Sequence, residues 1–148
     1  MKALIFYGIL AGAVLIAGCT KNEAKPGNHV GTDDVPGNHV DTGDVKVVTD
    51  ESFEKDIATG ITLVDFWSPQ CPPCLRQGPI VEEIAEDFAG SVRVGKLDVS
   101  QHRNVAMRLG ITMIPTLMVF KDGKKVEQLI GLRPKKQLAA LLEKYVKE

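Results

Sequence analysis

Residues 61–67 read Ile-Thr-Leu-Val-Asp-Phe-Trp, a run in which apolar and β-branched side chains fall on both faces. A strand of this kind is covered on both sides, as inside a sheet with helices above and below. A helical pattern follows directly over residues 72–88, stopped near Gly90, and a second apolar run covers residues 92–99. Strand, crossover helix and strand in this order require a parallel pairing with a right-handed connection. One residue breaks the apolar character of the first strand: Asp65.

The remaining signals extend the same alternation. Residues 45–49 form a short β-branched run, and Asp50 is placed to cap a helix over residues 51–58. Ser100 is placed to cap a helix over residues 101–109 that Gly110 closes. Residues 116–120 predict a strand, Lys121-Asp122-Gly123-Lys124 a hairpin turn, and residues 125–130 its return. Pro134 suits the first turn of a last helix in which Leu138, Leu141, Leu142 and Tyr145 share one face. Pro79 lies inside the second helical pattern and predicts a kink there. The order βαβαβαββα gives an α/β domain over residues 45–148, a central mixed sheet with helices on both faces.

The segment before this domain has a different character. Lys2 precedes an uncharged, mostly apolar stretch over residues 3–18, short for a bilayer span but suited to a signal-peptide core. Its end, Leu15-Ile16-Ala17-Gly18-Cys19, resembles the bacterial lipobox. That resemblance implies cleavage before Cys19 and acylation of its thiol, a two-chain anchor that holds stably in a membrane; the plain alternative is an uncleaved signal anchor with an idle cysteine. Residues 19–44 are then a polar linker carrying a ten-residue direct repeat that begins at Pro26 and again at Pro36. Its Gly, Asp, Asn and Pro content predicts a flexible tether with a root-mean-square span of roughly 25–30 Å. His29 and His39 recur with the repeat; a weak metal site and simple duplication of a neutral linker both account for them.

A net charge of −1, with no clustered Lys or Arg, gives no footprint for nucleic acid. The chain has three cysteines. With Cys19 assigned to the anchor, Cys71 and Cys74 remain as a C-x-x-C at the junction of a buried strand and a helix. Free N–H groups and the positive end of the helix dipole favour a thiolate there, and the thiolate is the form that attacks disulfides. The spacing lets the two sulfurs close a small ring. A zinc site would need two further ligands, and in this domain only His102 offers itself. A purely structural disulfide over so short a loop would stabilise little. No cofactor is expected beyond a redox-active disulfide.

Residues 63–74, Leu-Val-Asp-Phe-Trp-Ser-Pro-Gln-Cys-Pro-Pro-Cys, closely resemble the active-site segment of the thioredoxin family. Pro79 matches its helix proline, Lys96-Leu97-Asp98-Val99 its next strand, and residues 109–117 the segment around its cis-proline at Pro115. Phe120-Lys121-Asp122-Gly123 and Ile130-Gly131 complete the match. The resemblance implies a thioredoxin fold and a thiol–disulfide oxidoreductase. Cys71 would be the attacking nucleophile and Cys74 the buried resolving thiol. Asp65 would be a buried base of raised pKa near Cys74, with Lys96 as its charge partner; its plain alternative is a strand-end residue facing solvent. Pro115 would follow a cis peptide bond, and the backbone of Ile114 would pair with an extended substrate. Trp67, Pro72, Pro73 and Gly131 would line the same groove, although Trp67 suits the core equally well.

Two departures from the family pattern bear on chemistry. Gln70 stands where a second tryptophan is usual, removing apolar collar beside Cys71. Pro72 replaces a glycine, which deletes an N–H near the sulfur and predicts a lower reduction potential. The insertion carried by larger cytochrome-maturation relatives is absent between the middle strand and helix. The expected protein is a monomer at the cell envelope, facing the extracytoplasmic (periplasmic) side. It would reduce disulfides in exported proteins and be recharged by a membrane-embedded dithiol donor. A disulfide-donating oxidase or isomerase, or a non-catalytic peptide-binding module, would use the same fold.

Overall fold

The computed structural model describes residues 43–147. The readings of a signal peptide, of Cys19 and of the linker with His29 and His39 fall outside the described residues. In chain order the elements are β1 (Lys46–Val47), α1 (Phe53–Ile57), β2 (Ile61–Trp67), α2 (Pro72–Asp87) and β3 (Val92–Asp98), followed by α3 (Arg103–Arg108), β4 (Thr116–Lys121), β5 (Lys124–Ile130) and α4 (Lys135–Val146). The five strands lie in the order β1-β3-β2-β4-β5. β3 pairs in parallel with both β1 and β2, whereas β4 runs antiparallel to β2 and to β5. This is the thioredoxin fold: a mixed sheet with a parallel portion, closed by an antiparallel hairpin.

Side chains alternate across the central strand β2, and each of its faces is covered by a core of its own. Leu63 joins Val81, Ile84, Val94, Leu117, Leu138 and Leu142 in a core beneath α2 and α4. Val64 and Phe66 join Phe53, Leu97, Val105 and Phe120 in a second core on the other face. There the rings of Phe53 and Phe120 meet edge to face at 5.5 Å between centroids. Each fully buried aliphatic or aromatic side chain contributes roughly 1.5–3 kcal/mol, so two cores of this size outweigh any local propensity. Gly95 marks where β1 crosses close to β3: a Cβ there would lie 2.5 Å from Val48 Cγ2. The β4–β5 turn has positive φ at both Asp122 (50°) and Gly123 (79°), as a two-residue hairpin of this twist requires. The Asp122 carboxylate also accepts a hydrogen bond from the Gly60 N–H at 2.8 Å.

Two capping expectations are corrected. Asp50 does not cap the helix that follows it; α1 starts only at Phe53, and Ser52, at its cap position, makes no side-chain cap bond. Ser52 and Thr49 instead bond each other's backbone N–H through their hydroxyls. Ser100 does not cap α3 either, since its N–H and hydroxyl both turn back to Asp98 Oδ1, at 2.9 and 2.6 Å. The cap of α3 is Asp50, reaching from 54 and 55 positions away to accept from the N–H groups of Asn104 (3.2 Å) and Val105 (2.9 Å). The backbone N–H of Asp50 donates to His102 Nδ1 at 3.3 Å, which holds the two segments together. A two-oxygen carboxylate satisfies two free helix donors at once, and tertiary proximity prevails over local capping.

Asp50→Ala should therefore destabilise the domain by about 1 kcal/mol, read as a drop of roughly 4–8 °C in thermal midpoint by circular dichroism. An unchanged midpoint would remove Asp50 as the cap of α3.

Candidate redox site

The chain leaves β2 through a tight turn. Cys71 N–H donates to the Ser68 carbonyl at 3.1 Å, and Gln70 N–H reaches the Ser68 hydroxyl at 3.4 Å. Cys71 is the N-cap of α2, in extended conformation, with Pro72 and Pro73 at the next two positions. Neither proline has an N–H, so the first free donor of the helix belongs to Cys74, and it points at Cys71 Sγ from 3.2 Å. Cys71 and Cys74 form a disulfide, with their Cα atoms 5.2 Å apart. Cys74 is 1% exposed, whereas Cys71 is half-buried and Pro72 exposed. The helix end thus presents one sulfur outward and keeps the other behind it.

Facing Cys71 is the cis peptide bond between Ile114 and Pro115. The Ile114 carbonyl oxygen lies 3.8 Å from Cys71 Sγ. The Thr116 hydroxyl braces this loop by donating to the Met113 carbonyl at 2.6 Å. On the far side of Pro115, its carbonyl accepts the Gly131 N–H at 2.7 Å. Cys71, Ile114, Pro115 and Gly131 are thereby brought together from α2, the loop before β4 and the loop after β5. Exposed apolar side chains flank these segments in sequence: Leu75 follows Cys74, Met113 precedes Ile114, and Ile130 and Leu132 stand either side of Gly131.

Asp65 is fully buried, and neither carboxylate oxygen has a hydrogen-bond partner. The solvent-facing alternative is excluded. Burial pushes its pKa up to about 7 from 3.8, against the opposing charge of Lys96. Asp65 and Lys96 are register partners on β2 and β3 and so project to the same face. Lys96 nevertheless does not bond the carboxylate; its ammonium lies 4.8 Å from the centroid of the Trp67 ring, a cation–π contact. Desolvation consequently prevails over attraction at Asp65. Gly78 in α2 explains how the ammonium fits: a Cβ there would approach Lys96 Nζ to 3.2 Å.

Trp67 is half-buried and lines a cavity of about 350 Å³ with Lys96, Asp98, His102 and residues of β1. That cavity lies on the β3 side of β2, whereas Ile114, Pro115 and Gly131 belong to the β4 side. The Trp67 ring carries the Lys96 ammonium over its face. Among the described residues no group of three or more His, Cys, Asp or Glu side chains gathers as a metal site. Sequence reading passes over Gln77, which is fully buried and bonds the backbone of Arg133 twice. Its position is a signal: it occupies the same helical stripe as Cys74 and Val81, where an amide requires an internal partner.

A sequence model of the thioredoxin family matches residues 44–144. The chain belongs to the thioredoxin family. It is 42% identical over 99 residues to the thioredoxin of Staphylococcus saprophyticus, covering 67% of this chain and 95% of the relative. The thioredoxin of Staphylococcus aureus is 41% identical over 99 residues, with the same coverage of both chains. Among solved structures, a point-mutant thioredoxin from Halobacterium salinarum superposes with a TM-score of 0.66 at 30% identity, covering 70% of this chain and 92% of that one. The domain is a thioredoxin-type thiol–disulfide oxidoreductase. Thioredoxins act on disulfide-containing proteins through a redox-active disulfide and need no external cofactor.

The buried carboxylate sets a pH signature for this thioredoxin domain in its oxidised form. Folding raises the Asp65 pKa from 3.8 to about 7, so between those values the folded chain holds a proton that the unfolded chain releases. The contribution of Asp65 to stability is then fully present below about pH 4, fades as pH rises towards 7, and levels off above it. Asp65→Asn keeps the shape without the charge. Its advantage over the parent should open across that window to the order of 4 kcal/mol, about three units at roughly 1.4 each. Denaturant titrations at pH 4 and pH 8 check this; an equal advantage at both would mean that Asp65 does not titrate between them.

Proposed function

We propose that this thioredoxin is a lipid-tethered reductase of disulfides in exported proteins, working at the extracytoplasmic (periplasmic) face of a bacterial membrane. The observation that carries the reading is the contrast between the two sulfurs: Cys71 half-exposed at a helix start, Cys74 buried, with a buried carboxylate of raised pKa on the adjoining strand. The lipobox-like end at Cys19 and the polar linker support the tether. A domain held on a chain of that length reaches both exported proteins and a membrane-embedded dithiol donor. It needs no second copy of itself to do so.

In the reduced protein the Cys71 thiolate attacks one sulfur of a substrate disulfide. A mixed disulfide forms, and the other substrate sulfur leaves as a thiolate that takes a proton from solvent. Asp65 accepts the proton of Cys74, and the Cys74 thiolate then attacks Cys71 Sγ. The Cys71–Cys74 disulfide closes, and the second substrate sulfur leaves, so two electrons pass from the dithiol to the substrate. Lys96 moderates the charge on Asp65 from its place over Trp67. The Ile114 backbone, Pro115 and Gly131 receive an extended substrate segment, with Pro72 and Pro73 contributing surface around it. The membrane dithiol then returns the site to its reduced form.

Cys71→Ser should abolish insulin reduction with dithiothreitol as donor; full activity in that variant would end the dithiol mechanism. Cys74→Ser should accumulate mixed disulfides at Cys71 that dithiothreitol releases, and their mass spectra would identify the exported partners. A second test concerns the first helical turn. Pro72→Gly restores an N–H beside Cys71, which stabilises the thiolate and so the reduced form. It should raise the reduction potential by on the order of 30 mV (~1.4 kcal/mol) in a glutathione titration. A potential that fell or stayed level would show that the donor count at the helix start does not set it.

A further inference from the structure

The buried stripe of α2 runs Cys74, Gln77, Gly78, Val81, Ile84 and Ala85. Gln77 is the polar exception among them, one turn past the cysteine that closes the disulfide. Burying an amide without partners is costly, and this one has two. Its Oε1 accepts the Arg133 N–H at 2.7 Å, and its Nε2 donates to the Arg133 carbonyl at 3.2 Å. The side chain therefore reads the main chain of one residue from both sides, as a neighbouring strand would.

The contact does not end at Arg133. The Arg133 guanidinium donates to the Ile130 carbonyl at 2.7 Å, folding residues 130–133 on themselves. Inside that fold Gly131 has a φ of +86°, and its N–H is held by the Pro115 carbonyl at 2.7 Å. Pro115 follows Ile114, whose carbonyl lies 3.8 Å from Cys71 Sγ. A closed circuit thus runs from α2 through Gln77, Arg133, Gly131 and Pro115 back to the sulfur at the start of α2. Among the hydrogen bonds of the described residues, Gln77 is the side chain that ties α2 to this loop.

We infer that Gln77 is a positioning residue that fixes the second edge of the substrate groove and thereby favours disulfides set in an extended protein chain over small free disulfides. The inference rests on the proposed reductase reading. A protein disulfide brings main chain that pairs along Ile114 and passes the Gly131 loop, so it senses how the two loops are held together. A small disulfide needs only the exposed Cys71 sulfur and does not.

The test compares full-length wild type with Gln77→Leu, which keeps bulk and removes both hydrogen bonds. Insulin, with dithiothreitol as donor, serves as the protein disulfide, and 5,5′-dithiobis(2-nitrobenzoate), mixed with pre-reduced protein freed of dithiothreitol, as the small one. KM for insulin should rise roughly fivefold, with kcat and the rate with the small disulfide within about twofold of wild type and the reduction potential unchanged. Amide exchange at Gly131 and Arg133 should quicken in the same variant. Unchanged kinetics, or equal losses with both substrates, would overturn the inference. Should Gln77→Leu fail to fold, Gln77→Met carries the test, because its unbranched side chain fills the same space without either hydrogen bond. Its KM for insulin should rise by a similar factor while the small-disulfide rate holds, and equal factors with both substrates again overturn the inference. A wild-type protein inert towards both disulfides would instead sink the reductase reading itself.

Discussion

Val81 and Ile84 of α2 pack onto Leu63, Val94 and Leu117 of the sheet, with Leu138 and Leu142 of α4 alongside. This apolar contact fixes the far half of α2 and leaves its first turn at the carboxyl end of β2, where the chain arrives through the Ser68–Cys71 turn. Each feature of the redox site depends on that placement. It makes Cys71 the N-cap, buries Cys74 beneath the helix and brings the sulfur against the Ile114 carbonyl. The chemistry is therefore held by rigid elements on one side and by a braced loop on the other. Such an arrangement keeps reacting atoms within reach without ordering them anew at each turnover.

The same packing accounts for the character of Asp65. A carboxylate on the α2 face of β2 is shut away from solvent, with no donor within hydrogen-bond reach. Lys96, its register partner, could have quenched the effect by forming an ion pair. Its ammonium is drawn instead over the indole of Trp67, into the space that Gly78 leaves open. Were the two charges in contact, attraction would hold the pKa in the ordinary carboxylate range. Separated, they leave desolvation in control and the group titrating near neutrality. A base of that strength can both take and release a proton at working pH, at the cost of stability above it.

How much of this is legible in the sequence follows from the range of the forces involved. The two-sided apolar run of β2, the helix starting at the cysteines and the Asp-Gly hairpin are local signals, and each element forms where it is expected. The order of elements fixes the parallel and antiparallel pairings in turn. The caps of α1 and α3 are misread because the Asp50 carboxylate is satisfied by donors 54 and 55 positions away, at Asn104 and Val105. No local pattern carries that information. Gln77 is a different case: its place on the apolar stripe is visible, but its partner, the main chain of Arg133, has no side-chain signature. Trp67 suits both core and groove in the sequence, and only its contact with Lys96 says which neighbours it has.

The two prolines of the first turn show how finely such a site can be set without moving an atom of the framework. A cap sulfur can in principle be reached by several free N–H groups at a helix start. Here Pro72 and Pro73 remove two of them, leaving the single Cys74 N–H at 3.2 Å and the helix dipole to stabilise negative charge on Cys71. The fold is untouched, because those first-turn N–H groups have no intrahelical partner to lose. On the reading proposed above, what changes is the balance between thiolate and disulfide. Gln70, exposed where the family pattern has a ring, is held by the Ser68 hydroxyl at 3.2 Å. On the proposed reading, fewer donors and a polar neighbour act separately, one on the charge of the sulfur and one on the docking of its partner. A chain can therefore adjust its redox poise and its choice of substrate independently within one unchanged scaffold.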